Sequence, residues 1–108
     1  MEATTRPSDG TTIVDVAGEV DMKTSKKLQA ILRNLVEKKT SPIVVNLADV
    51  AYIDSSGIAT LVECLQGVKG YGGDLRLCAL SENIADIFKV VKLDTVFSIF
   101  PTEQDALT

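Results

Sequence analysis

The sequence predicts an α/β domain whose sheet contains parallel strand pairs. Runs rich in β-branched residues alternate with segments whose apolar residues recur at i, i+3, i+4 and i+7. The two kinds succeed each other as strand, helix, strand, helix, strand, helix, strand, helix, and 108 residues suit one domain. Parallel neighbours need a crossover, and the helical segments supply it.

Residues 1–10, "MEATTRPSDG", read as a polar leader or a weak edge strand around residues 2–6, with the folded domain over 11–108. "TTIVDVAGEV" then sets Asp15 between Val14 and Val16 and is expected to stop as a strand at Gly18. "IVVNL" (43–47) is a short apolar run bounded by Pro42 and Asp49, as in a strand covered on both faces. "DLRLCAL" (74–80) and "VFSIF" (96–100) are the further strands.

Three stripes mark the helices: Leu28, Ile31, Leu32 and Leu35; Ile58, Leu61, Val62 and Leu65; Ile84, Ile87, Phe88 and Val91. Each is one apolar face at 3.6 residues per turn. The glycines of "GVKGYGG" (67–73) end the second helix. They are no phosphate loop, because the G-x-x-x-x-G-K-[ST] spacing is missing and the segment follows a helix. Ser81 is placed to cap the third helix, and Thr102, three residues before Asp105, to cap a short terminal one. Phe88, Phe97 and Phe100 are expected in the core, and Tyr52 beneath the following loop or partly exposed.

Composition narrows the function. Apolar residues make up 45% and charged residues 24%, which excludes a wholly disordered chain. The net charge of −4 argues against nucleic acid or an anionic membrane as partner. The lysine pairs at 26–27 and 38–39 read as solvated helix faces. No run approaches the roughly 18 apolar residues of a membrane span. The N-terminus lacks a secretory apolar core, so the expected location is cytoplasmic, with Cys64 and Cys78 reduced. There is no histidine, hence no Ser–His or Cys–His nucleophile pair. Neither a cofactor nor a metal is implied.

In such sheets functional groups gather beyond the carboxyl ends of strands. Two acidic loops are expected there: "GEVD" (18–21) and "DVAYIDSSG" (49–57). The second places two hydroxyls between an acid and a helix. Ser55 or Ser56 can cap a helix beginning near Gly57. A phosphate at that position would also meet the unpaired amides of a helix start, while adding roughly −1.5 to −2 charges beside Asp54. Asp21 reads as a cap with Thr24, or as a carboxylate near Asp54 at the same sheet end. Such a pair can do acid–base work, but no substrate-pocket motif accompanies it, and an enzyme is not expected.

"AGEVD", "IVVNLADVAYIDSSGI", "GGDLRLCALSENIADIF" and "KLDTVFSIF" together resemble STAS-domain proteins, in particular the bacterial anti-anti-sigma factors, or anti-sigma factor antagonists. The resemblance runs from about Thr11 to Leu107. It implies a single small STAS domain with a mixed four- to five-stranded sheet and about four helices packed on it. It implies a regulator of transcription by partner switching. The unphosphorylated form sequesters an anti-sigma factor that is a serine kinase, phosphorylation releases it, and a separate phosphatase resets the system. Carried onto this chain, the acceptor is Ser55. Asp54, Ser56 and Gly57 shape its loop, and Asp21, Met22, Ile58 and Ala59 meet the partner. Ala59 stands where many members have glycine, and Lys92 where a glycine often precedes the leucine. The alternative role is a STAS scaffold, or an accessory subunit of a signalling or lipid/anion transport complex, that leaves the serine unused.

Overall fold

The computed structural model describes residues 1–108. In chain order the elements are β1 (Glu2–Ser8), β2 (Thr11–Val20), α1 (Ser25–Glu37), β3 (Ile43–Ile53), α2 (Ser55–Lys69), β4 (Leu75–Cys78), α3 (Glu82–Val90), β5 (Ser98–Phe100) and α4 (Glu103–Leu107). They form one five-stranded sheet in the order β1-β2-β3-β4-β5. The β1–β2 pair is antiparallel and the other three pairs are parallel. The expected mixed sheet with four helices is therefore what the chain forms.

Residues 2–8 pair with β2 as an edge strand, closed by Asp9 and Gly10 at φ 49° and 83°. Positive φ at both loop residues marks the tight hairpin turn that asparagine–glycine and aspartate–glycine pairs favour. Gly10 takes its φ without the strain a Cβ brings.

The sheet buries both faces. Val14, Val16, Ile43, Val45 and Leu47 join Leu28, Leu32, Leu61, Leu65, Ile84 and Phe88 of α1, α2 and α3 in the larger core. Ile13, Val44 and Cys78 pack on the opposite face with Ala106 of α4. This explains why "IVVNL" has no polar alternation over its first three residues. Phe88 and Phe97 meet edge to face at 5.6 Å between centroids. Phe100 packs against the smaller cluster and stays partly exposed.

Several boundaries differ from expectation. β2 does not stop at Gly18; it continues to Val20, which is fully buried. β3 runs six residues past Leu47, so most of the expected loop 49–57 is strand. Pairing with β2 holds it, through register shifts that let Val50 and Ile53 turn inward while Tyr52 remains 49% exposed. The last expected strand begins at Ser98, because Val96 and Phe97 belong to the turn after α3. Val91 ends α3 instead of lying on its buried face. The buried side of α2 centres on Gly57, Leu61, Cys64, Leu65 and Val68, which leaves Ile58 and Val62 at its margin. Ser81 and Thr102 cap α3 and α4 as expected, accepting from the Ile84 and Asp105 amides at 3.3 and 3.1 Å.

Candidate functional site

Parallel pairing builds the site. Val20 and Ile53 are register partners at the carboxyl ends of β2 and β3. The Asp54 N–H donates to the Val20 carbonyl at 3.0 Å, carrying the pairing one residue further. Asp21 and Asp54 are the next residues along each strand, so two acids distant in sequence share one sheet end.

Asp54, not either serine, caps α2, and the helix begins at Ser55. Its backbone is extended, at φ −103° and ψ −174°. A short carboxylate in that conformation reaches the orphan amides of the first turn. Its Oδ1 accepts from Ser56 N at 2.9 Å, Gly57 N at 3.2 Å and Ser56 Oγ at 2.5 Å. The Ser56 hydroxyl, aided by the two amides, holds the Asp54 carboxyl below its ordinary value, against the opposing effects of desolvation and, least, of Asp21. Thr60 Oγ1 donates to the Ser56 carbonyl at 2.9 Å. Ser56 is thus tied at both ends and half-buried.

Ser55 differs from its neighbour. It is the first residue of α2, is exposed, and its hydroxyl forms no hydrogen bond within the chain. Gly57 is buried behind it. A Cβ there would lie 2.6 Å from Ile53 Cγ1 and 2.7 Å from Val20 Cγ1, so the close seating of α2 on the strand ends depends on this glycine.

Asp21 organises the other loop. Its Oδ1 accepts from the amides of Lys23 and Thr24 at 2.9 and 3.0 Å, and its carbonyl from Ser25 N at 2.8 Å. Those two amides hold its carboxyl below the usual aspartate range, the Thr24 amide contributing most. The residue that precedes α1 is Thr24, whose hydroxyl donates to the Glu19 carbonyl at 2.8 Å instead of capping the helix. Asp21 therefore closes the turn before the helix and is not itself the cap.

Met22 is 75% exposed. It lines a cavity of about 330 Å3 together with Ser56 and Ala59, so the structure brings these three together. Ile58 is half-buried and packs against the larger core, outside that lining. Ser25, Lys26 and Gln29 of α1 and Thr60 and Glu63 of α2 complete the cavity wall and were missed by sequence reasoning. Helical periodicity marks Lys26 and Gln29 as polar-face residues, but the polar wall of a helix pair depends on how the two helices pack. Further along the same seam, Arg33 and Glu63 pair at 2.5 Å beside a cavity of about 190 Å3. Cys64 and Cys78 are buried free thiols, each pushed up to about 11 by burial, so neither supplies a thiolate nucleophile at neutral pH.

An antiparallel edge strand leading into a β-α-β sheet, with an acid–serine–serine–glycine turn starting the helix after β3, defines a class. The chain belongs to the STAS-domain family, whose sequence model matches residues 2–106. Among curated proteins it is 34% identical over 86 residues to the anti-sigma-B factor antagonist of Bacillus subtilis strain 168, covering 80% of this chain and 78% of the relative. A solved anti-sigma factor antagonist from Mycobacterium paratuberculosis superimposes with a TM-score of 0.91 at 25% identity, over 98% of this chain and 90% of the other. The phosphorylated form of SpoIIAA, the Bacillus cell fate determinant, shares the fold with a TM-score of 0.77 at 18% identity, over 98% and 96% of the two chains. No helix is long and apolar enough to cross a membrane.

Proposed function

We propose that this chain is an anti-sigma factor antagonist controlled at Ser55. Unphosphorylated, it binds an anti-sigma factor that is also a serine kinase, and so frees a sigma factor for transcription in the cytoplasm. The observation that carries this reading is the exposed, unbonded hydroxyl of Ser55 at the start of α2. Met22 and Ala59 lie on the same groove as the neighbouring Ser56 and offer a surface for the partner, with Asp21 beside them and Ile58 beneath.

The switch is phosphoryl transfer. Ser55 Oγ attacks the γ-phosphorus of ATP held by the partner, the bond to the ADP oxygen breaks, and the hydroxyl proton leaves to a base of the kinase. The product carries roughly −1.5 to −2 charges beside two carboxylates that are already ionised. Outside an interface that charge costs little. Inside one it is desolvated and meets like charge, which costs several times more. Hydrolysis by a phosphatase restores the hydroxyl. The chain itself is a substrate and ligand here, not an enzyme.

The test is a binding measurement with the partner from the native cell. Ser55→Asp should weaken the complex by roughly a hundredfold or more. Ser55→Ala should bind like wild type and resist release by ATP. Equal affinity of wild type and Ser55→Asp would refute the switch. A chain free of phosphate and recovered in a membrane complex would favour the scaffold role.

A further inference from the structure

Two adjacent hydroxyls stand at the start of α2, and the structure treats them differently. The Ser56 hydroxyl donates to Asp54 Oδ1 at 2.5 Å, and its carbonyl accepts from Thr60, which is only 5% exposed. Ser55 is exposed and unbonded. A phosphate on Ser56 would remove the hydrogen donated to Asp54 and set a dianion against the carboxylate that caps the helix. A phosphate on Ser55 leaves that cap intact.

We infer that Ser56 is a positioning residue that restricts modification to Ser55. Its hydroxyl is committed to Asp54, so it is no acceptor. The same bond fixes the first turn of α2, and with it the place from which the Ser55 hydroxyl is offered. The inference rests on the reading that Ser55 is the phosphate acceptor, and deepens it. It accounts for how a kinase faced with two consecutive serines would modify one. The lowered carboxyl of Asp54 agrees with the geometry, since the Ser56 hydroxyl is its foremost cause.

The experiment has two arms. In the first, the Asp54 carboxyl is titrated by carbon-detected NMR in wild type, Ser56→Ala and Ser56→Thr. Ser56→Ala should raise its midpoint, and Ser56→Thr, which keeps a hydroxyl, should leave it near wild type. An unmoved midpoint in Ser56→Ala overturns the commitment of that hydroxyl. In the second arm, each protein is incubated with ATP and native-cell extract, and phosphate is mapped by peptide mass spectrometry. Wild type should carry one phosphate, on Ser55, and Ser55→Ala none. Ser56→Ala should be modified on Ser55 alone, with its maximal rate lowered roughly tenfold at an unchanged half-saturating concentration, and Ser56→Thr should restore the rate. Phosphate on Ser56 of the Ser55→Ala variant, or a wild-type rate for Ser56→Ala, overturns the inference. Wild type without phosphate on either serine overturns the functional reading of Ser55, while the titration still decides whether Ser56 holds Asp54.

Discussion

One oxygen of Asp54 gathers three donors, and its negative charge faces the positive end of the α2 dipole. Removing it should therefore cost more than removing either serine. Asp54→Ala is expected to lower the urea midpoint of unfolding more than Ser55→Ala does, because Ser55 makes no bond to lose. The charge also sets a pH dependence. The carboxyls of Asp54 and Asp21 lie below their ordinary value of 3.8 in the folded chain. Stability from such groups is fully present above the unfolded value and is lost as pH falls through the folded one. Urea midpoints should be flat near neutrality and fall below about pH 4. Asp54→Asn should flatten that acid limb; an unchanged limb would mean the cap owes nothing to ionisation. The acid, both serines and the glycine were visible in the sequence, but not which of them caps. An N-cap is defined by backbone dihedrals, and Asp, Ser and Gly all suit it.

Helix ends and seats decide the next scale. α2 sits on the ends of β2 and β3 only because Gly57 has no side chain. Gly57→Ala would press a methyl on Ile53 and Val20, which are 2% and 0% exposed and have no room to yield. The expected cost is about 1–3 kcal/mol, read as a lower melting temperature, and partner binding should weaken with it. Lys92 gives a change of opposite sign. It follows α3 at φ 62°, where its amide donates to the Lys89 carbonyl and that of Leu93 to the Phe88 carbonyl. Lys92→Gly should raise stability by about 0.5–1 kcal/mol, since the left-handed cost to an L-residue exceeds glycine's extra chain entropy. Denaturant unfolding would show it, and no gain would mean the turn stores no strain. The departure from the family pattern at Lys92 was legible in the sequence, and its effect on the helix end follows from φ. The hairpin turn at Asp9–Gly10 was not read from the sequence, where residues 1–10 stood only as a polar leader or weak edge strand, although an aspartate–glycine pair lies beside β-branched residues there. A polar composition with Pro7 masked it, yet an edge strand tolerates both charge and proline.

Across the whole molecule, the sheet separates what must be rigid from what is offered to a partner. Fully buried side chains lie between α1, α2, α3 and one sheet face, or between α4 and the other. Ser55 lies outside both clusters. Ser55→Asp should thus leave the melting temperature within about 2 °C of wild type, because surface substitutions away from structural features change stability little. A large drop would mean that the change acts through folding and not through a partner. The strand–helix alternation, the two-sided burial of "IVVNL" and the three helical faces came from the sequence alone, because periodicity records which residues must leave water. The same pattern could not say that β2 and β3 run on to Val20 and Ile53. Their last residues alternate weakly, and only pairing across the sheet keeps them extended. The sequence offered Asp21 beside Asp54 as one of two readings but could not choose between them, and it could not tie Ser56 or free Ser55. Those depend on parallel register and on where α2 lands, which are properties of the packed chain and not of any segment within it.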